Sequence, residues 1–337
     1  MLPKILLDLD VAAKDADRQR LGRCAELIEI QSESPLSEDE LIEALQGFTG
    51  LIRMGKRIPA LSRRVFAAVP SLRIAGVRND RFGTDVDLEA AAEFGVKLVD
   101  TDNIGSHQPV AEWDLAMVLL CLRNAGAVYR QMIAAEESWS HYGNADFVSG
   151  ELTERRLGLI GCGHVGQRFI ELLHPFRVDL RVSDPYLEDE RAEALGIVRE
   201  DLDAVLEHAD ILVVQVPHTP RTNKMIGRRE LDLLGDGRIL VNCSRGKVID
   251  QEALIERLEE GRLIAGLDVF EEEPLEPESR LRSLPNAFIT PHLAWYAPDA
   301  LSRYFTTMAA DFERFFRGEA LQWELTQRMV DIRNGKI

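Results

Sequence analysis

Three polar side chains with complementary chemistry follow one another in the second half of the chain. Arg245 lies in Asn-Cys-Ser-Arg-Gly, Glu273 in Phe-Glu-Glu-Glu-Pro and His292 in Thr-Pro-His. A guanidinium can anchor an anion, an imidazole exchanges protons near neutral pH, and a carboxylate can hold that imidazole in place. Reduction of a 2-oxo acid requires an anion anchor and a positioned proton donor. We therefore predict that these three residues are catalytic.

A glycine-rich turn lies upstream of these residues. Gly161, Gly163 and Gly166 have the Gly-x-Gly-x-x-Gly spacing, after a predicted strand and at the start of an apolar helix. In dinucleotide-binding proteins these glycines permit the turn, the approach of the pyrophosphate and the helix–strand contact, respectively. The alternative is an ordinary glycine turn, and the strand and helix context favours the dinucleotide site. His164, inside the turn, either contacts the pyrophosphate or is only exposed.

Asp184 closes the next predicted strand, close to the spacing expected from the glycines. A carboxylate there accepts hydrogen bonds from the adenosine ribose hydroxyls and repels a 2′-phosphate. The sequence therefore predicts NAD as the cofactor, in preference to NADP.

Length and charge narrow the class of protein. A chain of 337 residues predicts two domains, and 57 Asp plus Glu against 40 Lys plus Arg give a net charge of −17. This charge disfavours nucleic-acid binding, and no stretch approaches the roughly 20 apolar residues of a membrane span. The four cysteines are scattered, so disulfides and a bound metal are poorly supported and a cytoplasmic location is expected.

Short apolar runs that predict strands alternate with helical patterns along most of the chain, which indicates parallel, doubly wound α/β sheets. The predicted strands cover residues 5–9, 27–30, 50–53, 72–77, 97–100, 157–160, 180–183, 211–214, 239–242, 264–268 and 287–289. The main predicted helices cover residues 38–47, 165–173, 202–208, 251–260 and 300–317, with another long helix starting at Pro109.

Residues from about 85 to 321 resemble the D-isomer-specific 2-hydroxyacid dehydrogenases. The resemblance rests on four ordered motifs besides Asp184: the glycine turn, Asn-Cys-Ser-Arg-Gly at 242–246, Asp-Val-Phe-x-x-Glu-Pro at 268–274, and Thr-Pro-His at 290–292. Ala-Asp-Ile at 209–211, leading to Val216 and Pro217, adds to it. Several motifs in this order are far more specific than any one of them.

The resemblance implies a role for each site residue. Arg245 would bind the substrate carboxylate and polarise the C2 carbonyl, and His292 would exchange the proton as hydride is transferred. Glu273 would orient the imidazole and favour its charged form, and Asp268 would orient the nicotinamide carboxamide. The predicted cofactor-binding residues are Gly161, Gly163, His164, Val165, Gly166, Asp184, Val216, Pro217, Cys243, Ser244, Asp268 and Ala294.

The resemblance also implies the architecture. A Rossmann NAD-binding domain of residues 105–297 would be inserted into a discontinuous, flavodoxin-like substrate domain of residues 1–104 and 298–337, with the active site in the cleft. It further implies a homodimer formed through the helix from Pro109 and its flanks.

The chain departs from the family in the loop expected to hold the substrate carboxylate, where residues 78–87 lack the first glycine. Arg81 could contact a second anionic group of the substrate, or pair with Asp80 or Asp85 at the surface. The predicted substrate-binding residues are Arg81, Phe82, Gly83, Arg245 and Trp295.

His-Leu-Ala-Trp-Tyr at 292–296 is similar to the C-terminal binding protein branch, whose members are NAD-dependent transcriptional co-regulators. Trp295 could wall the pocket and favour an apolar substrate tail, or pack between domains. The leading hypothesis is an NAD-dependent 2-oxo acid reductase. The alternatives are an NAD(H)-sensing binding protein and a formate or phosphite dehydrogenase of the same fold.

Overall fold

The structure is a computed structural model that describes residues 2–10, 13–78, 83–101, 105–139 and 150–336. The chain divides into two compact units. The terminal unit comprises Met1–Ser106 and Ala297–Ile337, and the central unit comprises His107–Tyr296. The assignment of residues 105–297 and of residues 1–104 with 298–337 to an NAD-binding and a substrate domain stays a prediction.

The terminal unit contains a five-stranded parallel sheet in the order β2-β1-β3-β4-β5, which is the flavodoxin-like order. Its strands are β1 (Lys4–Asp8), β2 (Glu26–Glu29), β3 (Gly50–Arg53), β4 (Ile74–Val77) and β5 (Lys97–Asp100). Its helices are α1 (Asp15–Leu21), α2 (Glu38–Ala44), α3 (Arg63–Ala68), α4 (Leu88–Glu93), α12 (Pro298–Arg317) and α13 (Gln327–Arg333).

The central unit contains a seven-stranded parallel sheet in the order β12-β11-β10-β9-β6-β7-β8. Its strands are β6 (Arg156–Ile160), β7 (Asp179–Ser183), β8 (Val198–Arg199), β9 (Ile211–Val214), β10 (Arg238–Asn242), β11 (Leu263–Leu267) and β12 (Ala287–Ile289). Its helices are α5 (His107–Leu122), α6 (Ala125–Ala134), α7 (His164–Leu173), α8 (Asp189–Leu195), α9 (Leu202–His208), α10 (Arg228–Leu234) and α11 (Gln251–Glu259).

Each sheet is buried on both faces, as parallel sheets require. In β9, Ile211 and Val213 join one apolar cluster, whereas Leu212 and Val214 join the cluster on the opposite face. This division follows from the alternation of side chains along a strand. The predicted class of two doubly wound α/β sheets is therefore confirmed.

The carboxyl ends of the central strands lie along one edge of their sheet, which is where open parallel sheets bind ligands. The strand order reverses between β6 and β9, so the ends of these two strands flank the expected binding crevice. The residues that follow β6, β7, β9, β10, β11 and β12 are Gly161, Asp184, Gln215, Cys243, Asp268 and Thr290. Within the described part of the chain, no helix has both the length and the apolar character needed to cross a membrane.

Candidate active site

The glycine turn after β6 has the geometry that close approach of a phosphate requires. Gly161 has φ +93°, and a Cβ there would lie 2.4 Å from the carbonyl oxygen of Gln215. A Cβ on Gly166 would lie 2.5 Å from the carbonyl oxygen of Gly161, so only glycine permits this contact between the turn and α7. At Gly163 nothing lies within 4 Å of the Cβ position, which leaves space for a ligand. The turn therefore fits a dinucleotide pyrophosphate at the start of α7.

Asp184 stabilises this turn from the end of β7. Its Oδ2 accepts a hydrogen bond from the Cys162 backbone N–H at 2.7 Å, and its Oδ1 accepts one from the Tyr186 N–H at 2.8 Å. Two N–H donors hold the carboxylate beside the glycine turn with lone pairs remaining for other donors. Its predicted contact with ribose hydroxyls stays a prediction.

The remaining residues predicted around the turn are only partly buried. His164 and Val165 occupy the first two positions of α7, and Val165 packs against the apolar cluster on its side of the sheet. Val216 and Pro217 follow Gln215, and the Pro217 carbonyl accepts a hydrogen bond from the Thr222 hydroxyl at 2.6 Å. The structure thus places all four at or near the edge that carries the glycine turn.

Arg245 lies on a loop after β10 that is held by side-chain to backbone hydrogen bonds. The buried Ser244 donates to Asn242 Oδ1 through both its N–H (3.0 Å) and its hydroxyl (2.8 Å). Asn242 Nδ2 in turn donates to the Arg245 carbonyl at 3.0 Å. A Cβ at Gly246 would lie 1.9 Å from the Phe270 carbonyl carbon, so this loop packs directly on the loop after β11. The guanidinium is therefore carried on a fixed backbone.

His292 and Glu273 form a close pair. His292 Nδ1 lies 2.6 Å from Glu273 Oε2, and Glu273 Oε1 accepts a hydrogen bond from the Phe270 N–H at 3.1 Å. The His292 side chain is 37% exposed, and its other ring nitrogen, Nε2, has no hydrogen-bond partner among the described residues. One ring nitrogen is thus oriented by a carboxylate while the other can exchange a proton.

The backbone of His292 is unusual for a residue with a side chain. Its φ is +53°, in the left-handed region that a non-glycine residue rarely adopts. The His292 N–H donates to the Asp268 carbonyl at 2.8 Å, which fixes this conformation. A strained residue held by its surroundings is a common feature of active sites.

Asp268 stabilises the loop that carries His292. Its fully buried carboxylate accepts hydrogen bonds from the Thr290 hydroxyl (2.5 Å), the Leu293 N–H (3.0 Å) and the Ala294 N–H (2.9 Å). The end of β11 is therefore tied to the loop after β12. The role expected for Asp268 toward the nicotinamide carboxamide stays a prediction.

A buried carboxyl group that the sequence analysis missed lies close by. Asp114 of α5 is fully buried, and Gln215 Nε2 donates to its Oδ1 at 2.9 Å and its Oδ2 at 2.7 Å. The Cys243 thiol is also hydrogen-bonded to it. The spacing of Val110, Asp114 and Met117 places this carboxyl group on the apolar face of the helix, and that was the available signal.

The predicted substrate-binding residues are only partly visible. Arg81 and Phe82 lie outside the described residues. Gly83 has φ +65°, and a Cβ there would lie 2.8 Å from Leu88 Cδ1, so glycine is required. Trp295 is 39% exposed and makes an edge contact with the Tyr296 ring, with centroids 5.5 Å apart.

Comparison with known proteins identifies the family. Residues 115–294 match the family model described as "D-isomer specific 2-hydroxyacid dehydrogenase, NAD binding domain". The chain is 31% identical to the glyoxylate reductase of Thermococcus onnurineus, covering 99% of this chain and 98% of that protein. It is 32% identical to the D-3-phosphoglycerate dehydrogenase of Methanocaldococcus jannaschii over 92% of this chain and 56% of that protein.

A solved structure with the same fold is a phosphoglycerate oxidoreductase from Rhizobium etli. The TM-score is 0.84 at 23% identity, and the match covers 96% of this chain and 99% of that chain. The chain belongs to the D-isomer-specific 2-hydroxyacid dehydrogenase family, which confirms the resemblance drawn from the motifs. It spans about half the length of the phosphoglycerate dehydrogenases that it matches.

Proposed function

We propose that the protein is an NAD(H)-dependent oxidoreductase that interconverts a 2-oxo acid and the D-2-hydroxy acid. The observation that carries this proposal is the His292–Glu273 pair, with Nδ1 and Oε2 2.6 Å apart and Nε2 without a described partner. An imidazole oriented on one side and available on the other is suited to general acid–base catalysis. The family to which the chain belongs supports the same activity.

Arg245, His292 and Glu273 have separate roles in the proposed reaction. Bound NADH would supply the hydride. Arg245 binds the substrate carboxylate with its planar fork and draws electron density from the adjacent carbonyl. His292 donates a proton from Nε2 to the carbonyl oxygen in reduction and accepts it in oxidation. Glu273 stabilises the charged imidazolium through Nδ1.

We further propose a preference for NAD over NADP, supported by the carboxylate of Asp184 beside the glycine turn. Its negative charge repels a 2′-phosphate, and its remaining lone pairs can accept from ribose hydroxyls. Fluorescence titration should show NADH binding at least about tenfold tighter than NADPH, a difference of about 1.4 kcal/mol. Equal affinities would contradict the preference. In Asp184→Ser the NADH to NADPH ratio should fall, with the melting temperature as the control for loss of the turn contacts.

We propose that two residues, Trp295 and Arg81, select the substrate. Trp295 is partly exposed after the histidine loop and would contact an apolar substrate tail. Arg81 would contact a second anionic group. The names of the relatives, D-3-phosphoglycerate dehydrogenase and glyoxylate reductase, support a small 2-oxo or 2-hydroxy acid as the substrate.

Steady-state NADH oxidation on a panel of 2-oxo acids tests the proposed activity. Glyoxylate, hydroxypyruvate, 2-oxobutyrate, phenylpyruvate and 2-oxoglutarate cover small, polar, aromatic and doubly charged substrates. Turnover on at least one of them, with D-configuration in any chiral product, is the expected result. A preference for phenylpyruvate would assign Trp295 to the pocket, and a preference for 2-oxoglutarate would assign Arg81. Tight NADH binding without NADH oxidation on the panel, and without NAD⁺ reduction by formate or phosphite, would contradict the proposal and favour a sensor function.

We also propose that the protein is a homodimer, formed through α5 and α6. The support is a group of exposed apolar side chains on α6, namely Tyr129, Met132 and Ile133, of which Ile133 is 71% exposed. Apolar groups of this kind mark association surfaces. Sedimentation velocity should give a dimer that Ile133→Glu dissociates. Val198→Glu is the matched control, because α6 packs against β12 and Val198, 53% exposed, lies on β8 at the opposite edge of the sheet. A monomeric wild type at micromolar concentration would contradict the proposal.

A cytoplasmic location is part of the same proposal. All four cysteines are free, and three of them are buried. Free thiols are typical of a reducing compartment. Cell fractionation of the native host would test this location.

A further inference from the structure

The buried Asp114 carboxyl group lies among the strand ends that form the candidate dinucleotide site. Its side chain projects from α5 towards Gln215 after β9 and Cys243 after β10. Asp268, after β11, is close enough to act on it electrostatically. The chemistry proposed above uses neither Asp114 nor Gln215. A buried carboxyl group at this edge therefore requires its own explanation.

The groups around Asp114 supply few charges that could stabilise a carboxylate. Its neighbours are the neutral amide of Gln215, which follows β9, and the thiol of Cys243, which follows β10. From β11 it faces the negative charge of Asp268, and Cys121 of its own helix is a neutral neighbour of Cys243. No described basic residue forms an ion pair with it.

The two neighbouring carboxyl groups differ in their hydrogen bonds. Asp268 accepts from three donors, the Thr290 hydroxyl and two backbone N–H groups. Asp114 has only the Gln215 amide and the Cys243 thiol. Burial raises the pKa of Asp114 to about 8, and the charge of Asp268 acts in the same direction. The proton near neutral pH therefore resides on Asp114.

Gln215 connects this carboxyl group to the glycine turn. The Gln215 N–H donates to the Ile160 carbonyl at 2.7 Å, and the Gln215 carbonyl lies against Gly161. The side chain of the same residue holds Asp114. Gln215 thus links Asp114 to the backbone that borders the candidate dinucleotide site.

We propose that Asp114 is a positioning residue of the dinucleotide site, acting through Gln215, and that it releases its proton when oxidised but not reduced cofactor binds. The inference rests on the proposed function, because it requires a nicotinamide dinucleotide at this edge. The oxidised nicotinamide ring carries a positive charge that the reduced ring lacks. In a poorly solvated site, a nearby positive charge favours the carboxylate. The proton lost by the Asp114 carboxyl passes to solvent, and no other bond changes.

Isothermal titration calorimetry of the full chain with NAD⁺ and with NADH tests this inference. Titrations of the wild type at pH 7.5, in buffers of different ionisation enthalpy, measure the number of protons released on binding. Proton release is expected with NAD⁺ and is expected to be absent with NADH. Between pH 7 and pH 9 the Kd for NAD⁺ should fall roughly five- to tenfold, whereas the Kd for NADH should stay constant.

Two variants assign the proton to Asp114. Asp114→Asn keeps the size of the side chain and should abolish the pH dependence that distinguishes the two cofactors. Asp210→Asn is the matched control. It removes one carboxylate at the opposite edge of the same sheet, just before β9, where Arg156 and Arg238 pair with it, and it should leave the profile unchanged.

The possible outcomes separate the inference from the proposed function. If both cofactors bind but NAD⁺ releases no proton, or if Asp114→Asn keeps the wild-type profile, the inference is wrong and the proposed function stands. If neither cofactor binds at any pH, the proposed function fails and the inference fails with it.

Discussion

The Asp268 carbonyl accepts a hydrogen bond from the His292 N–H at 2.8 Å, so the backbone at the end of β11 fixes the histidine in its left-handed conformation. The carboxylate of the same aspartate accepts the Leu293 and Ala294 N–H groups. One residue therefore holds the histidine loop through both its main chain and its side chain. The position of the imidazole depends on this buried residue as well as on Glu273.

Asp268→Asn tests that dependence. An amide would direct N–H groups towards backbone N–H groups, leaving buried donors unsatisfied and lowering the free energy of unfolding by about 2 to 3 kcal/mol. The rate constant for turnover should fall as the histidine loop relaxes. Asp311→Asn is the matched control, because Asp311 is equally buried in the terminal unit and accepts the Gln322 and Trp323 N–H groups. If both variants lose similar stability and have equal rate constants for turnover, Asp268 does not position His292.

Glu273→Gln separates charge from shape. The amide keeps the length of the side chain but cannot stabilise the imidazolium through the 2.6 Å contact with Nδ1. The rate constant for turnover should fall by at least about tenfold, which is part of the roughly 10²- to 10⁴-fold contribution of a positioned acid or base. The Kd for NADH should not change. Unchanged turnover would show that the pair is structural.

The glycine turn offers a matched pair of substitutions. Gly163→Ala places a methyl group in open space, so the melting temperature should stay constant while NADH binding weakens at least about tenfold. Gly161→Ala instead meets the Gln215 carbonyl at 2.4 Å with φ +93°, and should destabilise the fold by about 1 to 3 kcal/mol. Thermal melting and NADH titration measure both effects. Full NADH affinity in Gly163→Ala would place the pyrophosphate elsewhere.

The buried Asp114 carboxyl group should make the free energy of unfolding depend on pH. Burial raises the pKa of its carboxyl group from 3.8 to about 8, so the folded state retains a proton that the unfolded chain loses. This contribution is complete below about pH 4 and is lost as the pH rises towards 8. We therefore expect the wild type to lose stability relative to Asp114→Asn as the pH rises from 5 to 8. In denaturant unfolding of the cofactor-free proteins, the ratio of their folding equilibrium constants should change by at most about tenfold per pH unit. Parallel profiles for the variant and the wild type would contradict this assignment.

The sequence predicts the strands well where apolar runs are sharply bounded. The predicted strand at 211–214 is identical to β9, because Asp210 and Gln215 delimit four buried aliphatic residues. β8 was missed because it has only two residues, Val198 and Arg199, and both are exposed. The predicted helix at 38–47 ends earlier, at Ala44, because the turn that follows it includes the left-handed Gly47.

The site was predictable as motifs but not as a network. The order of Arg245, Glu273 and His292 indicated an anion anchor and a tuned proton donor, and the structure brings Glu273 and His292 into contact. The partners of Asp114 could not be predicted. Gln215 lies 101 residues away in sequence and becomes a neighbour only when β9 enters the sheet beside α5. Long-range contacts of this kind depend on topology, which local periodicity does not encode.

The central claim is that His292 exchanges the proton during reduction of a 2-oxo acid. The most direct test is single-turnover NADH oxidation in wild type and His292→Ala, with the best substrate of the panel and saturating NADH. We expect a rate constant at least about 100-fold lower in His292→Ala, with the Kd for NADH unchanged within about twofold. A rate constant equal to that of the wild type would contradict it.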